Sequence, residues 1–191
     1  MSATAGPRVG PNAILQTIEA LTEMGGADLT RRVFDLAGLG AVLDHPPQEM
    51  VPQDMAFALH RTIADSLPRD QADRVAVDAG RRTGQYILAN RIPRVAQIVL
   101  KLLPARMAGP ILLKAIEKHA WTFAGSARVS QQAGPPMSFT IHDNPLAVPG
   151  CLWHCAVFET LFRTLVHPQT RVQHTECCAC GGAVCVFTIA V

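Results

Sequence analysis

All six cysteines of this 191-residue chain lie between Cys151 and Cys185, and the first 150 residues contain none. Four of them fall in the run His174-Thr175-Glu176-Cys177-Cys178-Ala179-Cys180-Gly181-Gly182-Ala183-Val184-Cys185. Thiols used as staples are spread across a fold, whereas thiols gathered in one corner suit a metal ion. The rest of the chain needs no covalent help. Of its residues 49% are apolar and only 17% charged, enough to bury a sizeable core. A net charge of +2 gives no electrostatic footprint for nucleic acid, so none is expected as a partner. No stretch reaches the ~18 consecutive apolar residues of a membrane span. Met1 to Asn12 lacks a charged segment followed by an apolar one, so a cytoplasmic chain with reduced thiols is expected.

The first two-thirds has helical periodicity. Ala13 to Leu21 carries apolar residues at helical spacing and is expected to stop before Gly25-Gly26. Pro52-Gln53-Asp54 opens a second helix, in which Met55, Leu59, Ile63 and Leu67 recur every four residues until Pro68. A third is expected from about Gln71 to Asn90, where Gly80 and Gly84 form a notch that admits close approach of another element. Pro93, Pro104 and Pro110 divide Val95 to Ala120 into two short helices.

After Trp121 the period changes. Met137, Phe139 and Ile141 alternate with Ser138, Thr140 and His142, as in a strand. Val184 to Val191 is a second strand, Arg171 to Glu176 an extended run, and Leu152 to Val166 a helix between them. The expected class is α+β: a helical part over 1–120 and a strand–helix–strand–strand unit over 121–191, together one compact domain with a small antiparallel sheet.

A structural zinc site takes four nitrogen or sulfur ligands from separated pieces of chain. Cys177 and Cys185 bracket the Gly181-Gly182 turn, and His174 lies just upstream. From the preceding helix Cys151 is preferred over Cys155, because it follows Pro149-Gly150 at the N-terminus, where the helix dipole favours a thiolate. The expected ligands are therefore Cys151, His174, Cys177 and Cys185. In an unbroken strand His174 and Cys177 would face opposite sides. The site thus requires a bulge or strand end near Glu176, which leaves His174 and Glu176 as alternatives for one position. Cys178 and Cys180 have no assigned partner.

The C-terminal unit resembles the 4-vinyl-reductase domain family, which typically ends in Glu-x-x-Cys, seven residues, Cys and an aromatic-containing strand. Cys177 and Cys185 show that gap, Val186-Phe187-Thr188-Ile189 supplies the strand, and His174 stands where the family has Glu. Imidazole is also a good zinc ligand. In sensor proteins with this domain the first Cys lies on the preceding helix, at a spacing that falls on Cys151. Three further segments are similar to the J proteins of bacteriochlorophyll biosynthesis: Arg8 to Ile14, Gly84 to Pro93 and His119 to Ser126. The resemblance implies a role in the magnesium-tetrapyrrole pathway. It also implies the ligand-binding α+β fold shared with NO-sensing haem domains and Golgi tethering subunits.

The family's older name implies reduction of a vinyl group, a chemistry that requires a bound source of hydride or electrons. Ala37-Gly38-Leu39-Gly40 lacks the third glycine of a dinucleotide loop and reads as a helix stop. The expectation is a carrier or accessory protein binding a Mg-porphyrin such as protochlorophyllide; the alternative is an 8-vinyl (formerly 4-vinyl) reductase acting on a divinyl chlorophyllide precursor. Pathway enzymes are the expected protein partners, and homodimerisation stays open. A porphyrin slot would draw walls from the Gly80/Gly84 helix and from Val95 to Ile116. Arg81, Arg82, Arg91 and Arg94 are placed to meet propionates, although a solvated helix face explains them too. His60 and His119 are read as surface or hydrogen-bonded histidines rather than magnesium ligands. Arg94 to Lys118 mixes five cations with apolar stretches and is read as core helices with basic outer faces, the alternative being peripheral contact with the photosynthetic membrane.

Overall fold

A computed structural model gives the fold and describes residues 6–191. A short pair, β1 (Arg8–Val9) with β2 (Val51–Pro52), ties the start of the chain to the segment that precedes Gln53. The helical part comprises α1 (Asn12–Leu36), α2 (Gly40–Asp44), α3 (Gln53–Ser66), α4 (Arg69–Asn90), α5 (Arg94–Leu102), α6 (Ala105–Lys118) and α7 (Trp121–Ala124). Then come β3 (Arg128–Gln132), β4 (Met137–His142), α8 (Leu152–Leu165), β5 (Arg171–Glu176) and β6 (Val184–Ala190). The fold is α+β, with helices packed on a four-stranded antiparallel sheet of order β3-β4-β6-β5.

Proline sets most helix starts. Pro52, Pro68, Pro93 and Pro104 each cap the following helix with ψ between 134° and 141°, because proline has no N–H to donate back and a fixed φ. Pro110 does not divide the chain as expected. It falls inside α6, where it forfeits one backbone bond without ending the helix. Gly25-Gly26 interrupts rather than ends α1: Gly26 takes φ 71°, and Thr30 Oγ1 donates to its carbonyl at 3.0 Å as the helix restarts. Strand β3 has no counterpart in the sequence reading because Arg128-Val129-Ser130-Gln131-Gln132, at the sheet edge, shows no apolar alternation.

The Gly80/Gly84 notch is filled. Helix α8 crosses α4 there so closely that a Cβ on Gly80 would lie 2.7 Å from Ala156 Cβ, and one on Gly84 2.7 Å from Thr160 Cβ. The notch is therefore a helix–helix contact and not the open wall of a porphyrin slot. Beneath it Phe123, Phe139, Phe158 and Phe187 meet at centroid distances of 5.3–5.9 Å. Full burial of each such ring contributes about 2–3 kcal/mol. All the buried apolar residues except Val148 form one cluster running from Val9 to Ile189.

The expectation of core helices with basic outer faces holds for α6, which buries Leu112, Leu113 and Ile116, but not for α5. Of its apolar residues only Leu100 is fully buried, while Val95, Ile98, Val99 and Leu102 are exposed. No helix among the described residues is long and apolar enough to cross a membrane.

Candidate metal centre

Sheet parity brings the ligands together. In β5, Val172 pairs with Ile189, Gln173 with Thr188 and His174 with Phe187; the register then shifts, so that Glu176 pairs with Val186 and Thr175 is the extra residue. One inserted residue reverses the alternation of everything after it. Cys177 thereby lands on the same side as His174, facing Cys185, which is wholly buried on β6 opposite Ile141. The chain then turns through Cys178–Cys180, with Gly181 at φ 90° and Gly182 N donating to Cys177 O at 2.9 Å.

Cys151 arrives from the other side. It is the N-cap residue of α8 rather than a member of the helix, and it holds a left-handed backbone (φ 42°, ψ 38°) after Gly150 at φ 87°. A non-glycine residue in that region costs of order 1 kcal/mol and persists where its surroundings over-determine it, often at functional sites. Here Cys151 N donates to Val148 O at 2.9 Å, and the side chain is 1% exposed.

One ligand atom from each of Cys151, His174, Cys177 and Cys185 lies within 4.8 Å of all the others. Cys151 Sγ and Cys185 Sγ are 3.8 Å apart, beyond any disulfide. Tetrahedral ligands at Zn–S distances of about 2.3 Å would place sulfur pairs about 3.8 Å apart. His174 stacks on Phe187 (4.8 Å, 19°), and its Nε2 is buried without a hydrogen-bond partner. Buried polar atoms normally find partners, so an orphan nitrogen beside three sulfurs fits a site for a metal ion. Asn144 Nδ2 donates to Cys151 Sγ at 3.9 Å and Cys178 N to Cys185 Sγ at 3.4 Å, an outer layer that stabilises negative sulfur.

The electrostatics sort the thiols. Cys185 is pushed down to about 3, chiefly because the Cys151 thiol hydrogen-bonds to it, with help from the His174 ring, the Cys178 amide and Asn144 against the opposing effect of burial. Cys151, the donor in that pair, is pushed up by the same bond and by burial. Burial raises Cys177 and Cys178. The direction of these shifts makes Cys185 the thiol that gives up its proton most readily, and a bound cation would displace further protons from its neighbours.

The remaining side chains lie elsewhere. Cys155 sits a turn farther along α8, half-buried and pushed up to about 12 by burial and then by Glu159. Glu176 Oε1 accepts from Ala183 N at 3.2 Å, closing the hairpin rather than joining the cluster. Cys178 is half-buried and Cys180 exposed. His60 is buried with Nε2 3.0 Å from Ala13 O, and exposed His119 turns Nδ1 to Ala115 O at 2.9 Å. Arg81 and Arg82 pair with Asp78, and Arg82 also with Glu23, while Arg91 lies 5.9 Å over Tyr86. Asn144, which touches the cluster through Cys151 Sγ, is not among the residues expected from sequence, though Asn144-Pro145 is a turn signal that points to this loop.

Next to the cluster a cavity of about 40 Å³ opens between α3, α4 and the loop before α8, lined by His60, Ile63, Ala76, Val148, Pro149 and Trp153 among others. The Trp153 indole Nε1 is buried without a partner. The volume suits water, not a macrocycle.

These features define an α+β fold, helices packed on a four-stranded antiparallel sheet, with a Cys₃His corner. The fold is similar to that of an H-NOX protein from S. oneidensis in the Fe(II)NO ligation state, at TM-score 0.50 and 13% identity, covering 92% of this chain and 97% of that one. A triply substituted mutant of an H-NOX protein from S. oneidensis, in the Fe(II) ligation state, gives TM-score 0.51 and 13% identity, with 95% of each chain covered. No protein-family model matches. Over 97% of its length the chain is 43% identical to the bacteriochlorophyll synthase 23 kDa chain of Cereibacter sphaeroides, and it covers 94% of that protein. The corresponding chain of Rhodobacter capsulatus is 40% identical over 96% of this chain and 87% of its own length. The chain belongs to the bacteriochlorophyll synthase 23 kDa chain family.

Proposed function

We propose that the protein is a tetrapyrrole-binding accessory or carrier of bacteriochlorophyll biosynthesis whose C-terminal hairpin is braced by a structural zinc ion. The relatives' names support the pathway. The observation that carries the zinc reading is the convergence of Cys151, His174, Cys177 and Cys185, with its 3.8 Å sulfur pair and orphan His174 Nε2. These residues would hold zinc with four protein ligands. Such a closed set leaves no position for substrate, so the ion would contribute stability rather than chemistry.

The same four residues join three pieces of chain: the entry to α8, β5 and β6. Val148, whose carbonyl accepts from Cys177 Sγ at 3.7 Å, also lines the small cavity. Bracing this loop sets the position of Trp153 and the floor beneath His60. A macrocycle needs several hundred Å³, so pigment binding here requires α3 and α4 to part from the loop before α8. The cavity is the seed of such a slot, being lined mainly by apolar side chains with His60 and Asp73 at its edge.

Titration of the purified protein with Mg-protoporphyrin, with and without NADPH or reduced flavin, tests the reading. A shifted Soret band with the vinyl groups unchanged is expected. Conversion of a vinyl group would make the protein a reductase, and an unshifted spectrum would remove the pigment from the account.

A further inference from the structure

Helix α5 wears its amphipathicity inside out. At 3.6 residues per turn, Val95, Ile98, Val99 and Leu102 form one stripe. They are 73%, 57%, 51% and 80% exposed, while the opposite side carries buried Leu100 and Gln97, whose Nε2 is tied to Leu88 O and Ile92 O at 2.6 and 2.9 Å. The helix is thus seated on the protein by its back, and its greasiest face points outward. Met107 and Ile111, about half exposed, continue the apolar surface onto α6.

The charges of this hairpin also differ from those of the neighbouring helix. On α4, Arg69, Arg74, Arg81 and Arg82 each meet a carboxylate. Between 94 and 118 there are five cations, Arg94, Lys101, Arg106, Lys114 and Lys118, against the single acid Glu117. Among the described residues none of the five is in an ion pair. Arg94 and Lys101 lie on the rim of the α5 stripe by helical position. An apolar stripe edged by long, unpaired cations is the pattern of a helix lying in a bilayer interface, with its aliphatic residues among the acyl chains and its cations at the headgroups. Solvent exposure of four large aliphatic residues on one short helix has no other compensation within the fold.

We propose that the α5–α6 hairpin docks the protein on an anionic lipid surface, with Val95, Ile98, Val99 and Leu102 inserting and Arg94, Lys101 and Arg106 meeting lipid phosphates. The proposal is independent of zinc and of pigment binding. The whole purified chain is sedimented with phosphatidylcholine vesicles, with and without phosphatidylglycerol. Binding to the anionic vesicles, weakened by salt and absent from neutral ones, is expected. Ile98→Glu with Leu102→Glu should lower partitioning about tenfold or more, and Arg94→Glu with Lys101→Glu about tenfold, at unchanged melting temperature. Failure to bind anionic vesicles, or variants that bind as well as the unsubstituted protein, would overturn the proposal. A dimer dissolved by the same substitutions, without vesicle binding, would assign the face to a second copy and overturn it equally.

Discussion

The α4–α8 contact and the cysteine corner share one helix, α8, yet they hold together by different physics. Where α4 crosses α8, glycines remove side chains so that backbones meet, and Phe123, Phe158 and Phe187 fill the space beneath. That region is complete as it stands, since each surface is matched by another of the same kind. The corner has the reverse character. It gathers buried sulfurs and a nitrogen without a partner, which dispersion and hydrophobic burial alone do not reward. One region is closed by packing; the other presents a donor set that an electrophile could complete.

Removing a ligand should break the comparison most severely. Cys185→Ser or Cys151→Ser is expected to lose zinc and lower the melting temperature by roughly 10 °C or more, read by metal analysis and calorimetry. Gly80→Val should cost about 3 kcal/mol, because the new side chain meets the Trp153 carbonyl and Ala156, while zinc content stays the same. Denaturant unfolding with parallel metal analysis would expose any coupling between the regions.

Acid should separate them further. Burial, then His60, holds His154 down to about 4 from 6.5, so the unfolded chain takes up this proton first. Stability from His154 is full above pH 6.5 and is lost as the pH falls through 4, up to about 3 kcal/mol. With zinc chelated, His154→Phe should flatten that decline in unfolding titrations. The smallest effect belongs to Cys155→Ser, about 1 kcal/mol or less with zinc retained, since this thiol lies outside the cluster.

Much of this contrast was legible in the residues. The Gly80/Gly84 notch announced a close crossing, and the parity conflict between His174 and Cys177 announced the bulge at Thr175. Those signals are local, carried by residue type and strand period. What the sequence hid depends on what each face meets in three dimensions. The α5 stripe reads the same whether it packs inward or outward. Strand β3 is polar at most positions, and its pairing with β4 is a tertiary fact. The Asn144-Pro145 turn signal marks the loop, but the contact of Asn144 with Cys151 depends on how that loop folds. The notch also invited a pocket wall, but only the placement of α8 decides whether a groove is filled or left open.

X-ray absorption at the zinc edge, on protein purified without added metal or chelator, tests the central claim most directly. The account predicts one zinc per chain with three sulfurs at about 2.3 Å and one nitrogen at about 2.0 Å. A metal-free protein that takes up no zinc, and whose melting temperature is indifferent to chelators, would contradict it.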